Sequence, residues 1–135
     1  PKPSLLDGIV IGDINLQRLL ERLNQRIEAL IGRDYMIGHA YFLPLRNDKL
    51  IERLGAIMKS KIAPLLAEYF YDDWHKIRLV LGDNQKSGGE PQFITEKPQD
   101  MVQLFGTEDD SLRLRPCFEV NEAAFSEPSA YRYLR

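Results

Sequence analysis

One apolar stripe constrains the fold of this chain more than any other feature of its sequence. Between residues 16 and 31, apolar side chains recur at three- and four-residue intervals, which places them on one face of an α-helix. The stripe consists of Leu16, Leu19, Leu20, Leu23, Ile27, Leu30 and Ile31. Asp13 can cap the start of this helix, and Gly32 can end it in a left-handed conformation. The pattern therefore predicts a long amphipathic helix.

A second helical pattern is interrupted by a proline. Pro64 cannot donate a backbone hydrogen bond, and its ring clashes with the carbonyl four residues back, which is that of Ser60. If Ser60 is a new N-cap, Pro64 lies in a first turn, where no intrahelical N–H is needed. The sequence therefore predicts two helices, over residues 48–58 and 61–71.

After these helices the segments with a regular apolar pattern contain fewer residues. The stretch DDWHKIRLVLG predicts one more short helix, capped by Asp72 or Asp73 and ended by Gly82. Short strands are predicted in QFITE and in SLRLRPCFEV, where Pro116 indicates an edge strand or a break.

These elements define the predicted fold class, which is mainly α with a small β-containing C-terminal extension (α+β). A last helix is predicted in SEPSAYRYLR, with Tyr131 and Leu134 facing inward. We predict a connecting segment over residues 1–12, a helical body over 13–82, and a loop with short strands and a terminal helix over 83–135.

Composition excludes several classes of protein. The 135 residues are 44% hydrophobic and 28% charged, which is typical of a globular domain with a modest core. A net charge of -2 provides no basic field for binding nucleic acid. Cys117 is the single cysteine, which excludes an internal disulfide and fits a reducing compartment. No apolar run approaches the roughly 20 residues of a membrane helix. The first residue, Pro1, indicates a processed chain or a piece of a longer one.

Motifs for chemistry within this chain are weak. Asp83 begins a loop that resembles a calcium-binding EF-hand loop, but the twelfth position, which must be a glutamate, is Ile94. No spacing typical of a nucleophile and its base links Cys117 to His39 or His75. The simpler interpretation is that Cys117 is a small buried apolar residue. No phosphate-binding P-loop is present. We therefore predict no catalytic residue and no metal site.

The connection RDYMIGHAYFLPL, between the first two helices, is unusually apolar and holds one of the two histidines. On spacing alone, His39 is interpreted as a core histidine at a turn, with Ile37, Tyr41 and Phe42 packing inward. The alternative, a histidine that faces a ligand, stays open.

Three stretches carry a family resemblance. These stretches are LNQRIEALIGRDYMIGHAYF, KIAPLLAEYFYDDWHKIRLVLGD and FEVNEAAFSEPSAYRYL. They resemble the C-terminal part of McrB-like proteins, which are the nucleotide-hydrolysing subunits of methylcytosine-specific restriction systems in the AAA+ superfamily. The resemblance covers most of the chain and is weakest over residues 83–111. It implies an AAA+ helical lid that closes over nucleotide bound by an α/β core, and this core is absent from the sequence.

The resemblance also implies a site, a cofactor and partners. Gly38 and His39 stand where many AAA+ lids have a glycine–arginine pair that senses phosphates, and Arg33 is a further candidate contact. The parent protein would use GTP or ATP with Mg, while the lid alone would bind no cofactor and be inactive. Implied partners are the core of the same chain, neighbouring subunits of a hexamer and a nuclease subunit of McrC type, with DNA bound only through other domains. A cytoplasmic location without membrane contact is implied. The alternative is a free-standing helical interaction module without a nucleotide role.

Overall fold

The structure is a computed structural model that describes residues 3–135, with side chains from residue 5 onward. Its α-helices are α1 (Leu16–Ile31), α2 (Ile51–Ile57), α3 (Ala63–Tyr69), α4 (Trp74–Leu81) and α5 (Met101–Phe105). Two antiparallel two-stranded sheets pair β1 (Val10–Ile11) with β2 (Ile14–Asn15) and β3 (Ile94–Lys97) with β4 (Cys117–Val120). Short 3-10 helices span Pro3–Leu6, Arg33–Tyr35, His39–Arg46, Asp83–Gln85, Glu122–Ser126 and Pro128–Tyr131. The predicted fold class, mainly α with small β elements, is confirmed.

Helix α1 forms where the stripe predicts it, but it starts at a different cap. The side chain of Asn15 accepts a hydrogen bond from the backbone N–H of Arg18, at 3.1 Å, and thereby caps the first turn. The predicted cap at Asp13 is wrong, because the β1–β2 hairpin carries the chain as far as Asn15, and Asp13 forms an ion pair with Arg135 instead. Gly32 ends the helix with φ 100, a conformation that favours glycine.

A single apolar core joins the helices to the C-terminal extension. Five leucine and isoleucine side chains of α1 are fully buried: Leu16, Leu19, Leu20, Leu23 and Ile27. They belong to the same buried cluster as Phe93, Phe125 and Tyr131 of the extension. The ring centroid of Phe93 lies 4.9 Å from the ring centroid of Phe125 and 5.0 Å from that of Tyr131. The extension therefore packs as part of the body.

The predicted break before Pro64 is wrong. A π-helical turn, Met58–Ile62, joins α2 directly to α3, and in it the N–H of Ala63 donates to the carbonyl of Met58, five residues back. The wider turn displaces the carbonyls that the proline ring would otherwise meet. Ser60 is not a helix cap, since its hydroxyl donates to the Ala56 carbonyl. The chain thus stays helical from α2 through α3.

In the C-terminal half, the structure differs from the prediction mainly in the length of the elements rather than in their type. The strand predicted in QFITE forms as β3, which extends one residue beyond that stretch, and α4 begins after Asp73 and ends at Gly82, as predicted. The strand predicted over SLRLRPCFEV shortens to Cys117–Val120, because Pro116 ends the ladder. Cys117 is exposed, so its interpretation as a buried apolar residue is wrong.

Several small elements were missed or misassigned. The hairpin β1–β2 and the short helix α5 were not predicted. Tyr131 and Leu134 are buried, as predicted, but the segment before them, Pro128–Tyr131, is a 3-10 helix rather than an α-helix.

Stability at alkaline pH should depend on Tyr131. Its hydroxyl donates to the Phe125 carbonyl at 2.7 Å, and burial raises the pKa of Tyr131 far above the ordinary value of 10. As the pH rises through about 10, the unfolded chain loses this proton while the folded chain keeps it, so stability falls by up to about 1.4 kcal/mol per pH unit. Tyr131→Phe should cost about 1 kcal/mol at neutral pH and make the alkaline decline shallower. Urea unfolding at several pH values measures both effects, and equal alkaline slopes for the two proteins would contradict the prediction.

Candidate functional site

The connection between α1 and α2 is exposed on the outside and held from within. Its 3-10 helices Arg33–Tyr35 and His39–Arg46 flank an extended stretch that contains Gly38, with φ -78 and ψ 152. Ile37, Phe42 and Leu45 are fully buried. These anchors explain the apolar composition of the connection, although Tyr41, expected to pack inward, is 40% exposed.

The central contact of the connection is a pair of hydrogen bonds to Asn24 of α1. The Asn24 side chain donates from Nδ2 to the Ile37 carbonyl, at 3.0 Å, and accepts the Ile37 N–H at Oδ1, at 2.6 Å. Both residues are buried, so this one amide satisfies both backbone groups of Ile37 away from water. We call this pair the Asn24 clamp. It fixes the backbone directly before Gly38 and His39.

Two further contacts hold the connection at its ends. The rings of Tyr35 and Tyr69 meet edge to face, with centroids 5.4 Å apart, which ties the first 3-10 helix to α3. Arg46 donates to the Leu5 carbonyl at 3.1 Å at the other end. Together with the clamp, these contacts hold the connection against α1, α3 and the 3-10 helix Pro3–Leu6.

The three residues predicted for the site lie on this one connection, in different surroundings. Gly38 and His39 follow the clamp directly and are partly exposed. Arg33 is more distant from the clamp along the chain, with a side chain 83% exposed and Nε 3.2 Å from Oε1 of Glu28. The clamp therefore positions Gly38 and His39 but not Arg33.

Gly38 is not explained by the fold of the chain itself. Its φ is one that any residue adopts, and a Cβ added to it would meet nothing within 4 Å. A glycine without a conformational or packing role leaves its backbone open to a close approach from outside. Gly38, which borders this open space, directly precedes His39 in the sequence.

Arg26 is a second anchor that sequence reasoning missed. Its guanidinium donates to the carbonyls of Val80, at 3.0 Å, and Tyr133, at 2.8 Å. It thereby joins α1 to the end of α4 and to the C-terminus, and burial lowers its pKa. No sequence signal indicates this contact, because its partners are 54 and 107 residues away.

Asn24 did carry a sequence signal. It stands next to Leu23 and three residues before Ile27, so a polar amide occupies the buried face of an amphipathic helix. A buried amide at such a position needs hydrogen-bonding partners from another segment. The sequence does not show which segment supplies them.

The loop that resembles a calcium site has another role. Oδ1 of Asp83 accepts hydrogen bonds from the Phe93 N–H and from Nζ of Lys86, both at 2.8 Å, and Oδ2 accepts the Ile94 N–H at 2.9 Å. Protein donors thus occupy the carboxylate that would have been the first calcium ligand. Within residues 3–135 no three histidine, cysteine or acidic side chains are grouped so that they could hold a metal ion.

Comparison with known proteins finds a similarity over the part of the chain that contains this site. None of the helices in the described part is long and apolar enough to cross a membrane. Residues 15–78 match the family model "McrB, alpha-helical lid domain". The Type IV methyl-directed restriction enzyme EcoKMcrB subunit of Escherichia coli (strain K12) is 37% identical over 80 residues, which cover 52% of this chain and 17% of that relative. Residues 15–78, which contain α1, the clamped connection, α2, α3 and most of α4, are therefore similar to the alpha-helical lid domain of McrB.

Proposed function

We propose that this chain is the lid part of a McrB-like nucleoside-triphosphatase in a modification-dependent restriction system. In this proposal the lid closes over GTP or ATP that is bound, with Mg, by an α/β core of the same protein. The observation that carries the proposal is the partly exposed Gly38–His39 turn, positioned by the buried Asn24 clamp within the region that matches the lid family.

The chemistry of the turn suits a phosphate contact. An imidazole offers at least one N–H donor to a phosphate oxygen, and the bond is stronger when it is charge-assisted. The open space beside Gly38 permits a ligand or a facing domain to approach the backbone. A donor held on a packed scaffold loses little conformational freedom when the ligand arrives, which favours binding. Most of the Arg33 side chain is exposed, and its ion pair with Glu28 lies at the surface, so its part would be an outer electrostatic contact.

The McrB-type relationship also supports a subunit context. We propose that the lid works next to neighbouring subunits of a hexamer and a nuclease subunit of McrC type, in the cytoplasm. Other domains would contact DNA, because this chain has a net charge of -2 and no basic surface field is expected from it.

The chain alone should hydrolyse neither GTP nor ATP. A lid supplies none of the groups that position Mg and the γ-phosphate, and the sequence has no P-loop. The longer protein with its core should hydrolyse nucleotide, and removal of residues 13–82 should abolish or strongly reduce its turnover. Phosphate release by the purified proteins measures this. Turnover by this chain that a substitution within it removes would contradict the proposal, and so would full turnover by the protein without residues 13–82.

A further inference from the structure

The loop between β3 and β4 forms an ordered arm without a buried side chain. We call residues 98–116 the arm, and no side chain between residues 95 and 123 is buried. The arm is ordered by its own hydrogen bonds, for example from the Gln103 N–H to Oδ1 of Asp100 at 3.2 Å, at the start of α5. It nevertheless carries large apolar side chains that are 42–59% exposed: Val102, Leu104, Phe105 and Leu112. Three of these four side chains lie within the five-residue helix α5, and contiguous exposed apolar side chains mark interaction surfaces.

Acidic side chains follow these apolar ones. Glu108, Asp109 and Asp110 stand between α5 and Leu112. The Ser111 N–H and hydroxyl donate to Oδ1 of Asp109 at 2.9 and 2.6 Å, and these hydrogen bonds lower the pKa of Asp109. The outer part of the arm, which we call the arm tip (residues 101–112), is therefore both apolar and negatively charged.

A cleft on the lid region has the complementary character. It lies between the 3-10 helix His39–Arg46 and the helical stretch of α2 with its π turn, and its volume is about 400 Å³. Its lining combines apolar side chains with basic ones: Tyr41, Pro44, Ala56, Ile57, Arg53 and Lys61. Among the described residues, Lys61 has no ion pair, and Arg53 has a long one with Asp48, at 3.7 Å. The cleft is thus apolar and positively charged.

We propose that the arm tip of one copy of this chain docks into the cleft of a second copy. Leu104 and Phe105 would enter the apolar part of the cleft, and the three carboxylates of the tip would face Arg53 and Lys61. A second copy is the occupant because each chain carries both complementary surfaces, and neither is covered within the chain. Opposite charges at the rim orient the two surfaces and disfavour other partners.

This contact is head-to-tail, because the two surfaces differ. Such an interface closes into a ring or extends as an open chain, depending on the rotation between copies. Every copy keeps one arm and one cleft, so a copy that lacks a working arm can still accept an arm, and the converse also holds. The inference does not depend on the nucleotide role of the lid.

Sedimentation velocity of the chain over a concentration series tests the proposal. Two variants are used, Leu104→Ser with Phe105→Ser in the arm, and Arg53→Glu with Lys61→Glu in the cleft. All four side chains are exposed, so thermal melts of both variants should resemble that of the original chain. Arg18→Glu, a charge reversal on the exposed face of α1, is the matched control and should associate like the original.

The original chain should associate with increasing concentration, while each variant alone should sediment as a monomer. An equimolar mixture of the two variants should form a complex that stops at two chains. Glu108→Lys with Asp110→Lys, combined with the cleft substitutions in one chain, should restore association. The proposal is overturned if the original chain is monomeric at its highest soluble concentration, if either variant alone still associates, or if the mixture stays monomeric.

Discussion

Replacing Asn24 with leucine should lower the free energy of unfolding by about 3 kcal/mol. Leucine has a similar shape but leaves both the N–H and the carbonyl of Ile37 buried without a partner. Each such group costs about 1–3 kcal/mol in the folded state. Urea unfolding should show a lower midpoint with an unchanged slope, and the melting temperature should fall by roughly 10 °C.

The neighbouring amide provides the matched control. Gln25 is exposed on α1, so Gln25→Leu should change stability by no more than about 0.5 kcal/mol. Asn24→Asp should also destabilise the chain at neutral pH, because a carboxylate accepts the Ile37 N–H but faces the Ile37 carbonyl without a donor. Its stability should recover as the pH falls and the introduced carboxyl becomes protonated, since the buried, acceptor-facing group has a raised pKa. Equal stability of the Asn24→Leu and Gln25→Leu variants would show that the clamp does not hold the turn.

Asp83→Ala should cost about 3–5 kcal/mol. The substitution removes the acceptor for the N–H groups of Phe93 and Ile94 and leaves the Lys86 ammonium buried without its partner. Burial already lowers the pKa of Lys86, and the hydrogen bond to Asp83 opposes that shift. An unpaired buried charge adds to the cost of the two unsatisfied N–H groups.

A second substitution separates these contributions. Lys86→Met alone should cost less than Asp83→Ala, because Asp83 keeps its two backbone donors. The double variant should be more stable than Asp83→Ala alone, since the unpaired ammonium is gone. Denaturant unfolding of the three variants gives the coupling free energy. A double variant no more stable than the single one would show that the charge of Lys86 contributes nothing to the loss.

The helices could be predicted from the sequence because local spacing determines them. The stripe of α1 and the cap at Asp73 are local patterns, and both formed. The break before Pro64 was mispredicted because a π turn accommodates a proline without ending the helix, and the tolerance of the backbone for such a turn is not a sequence pattern. The cap at Asp13 was mispredicted because the β1–β2 hairpin shifted the start of the helix.

The position of the candidate turn was predictable, but its support was not. Gly38 and His39 were found by their unusual apolar surroundings and by resemblance. The Asn24 clamp that positions them joins residues 13 apart in sequence, and Arg26 bonds to a carbonyl 107 residues away. Such contacts depend on how the elements pack. His39 itself is partly buried, so the interpretation as a structural histidine and the interpretation as a histidine that faces a ligand both stay predictions.

Gly38→Ala tests the interpretation of the turn independently of histidine chemistry. The backbone conformation suits alanine and the added Cβ meets nothing within 4 Å, so the chain itself should be unchanged in stability or slightly more stable. In the longer protein that we propose, the same methyl group should hinder a ligand or domain that approaches this turn, and nucleotide turnover should fall.

His39→Ala tests most directly whether this turn faces nucleotide, and it requires two measurements of one substitution. The melting temperature of this chain should stay nearly unchanged, because a partly exposed side chain contributes little packing. In the longer protein that we propose, nucleotide affinity or turnover should fall by roughly 5- to 150-fold. This range corresponds to the loss of one hydrogen bond to phosphate, which is worth about 1–3 kcal/mol. A variant chain that melts well below the original, with turnover lost only through unfolding, would contradict this and identify His39 as a structural residue of the lid.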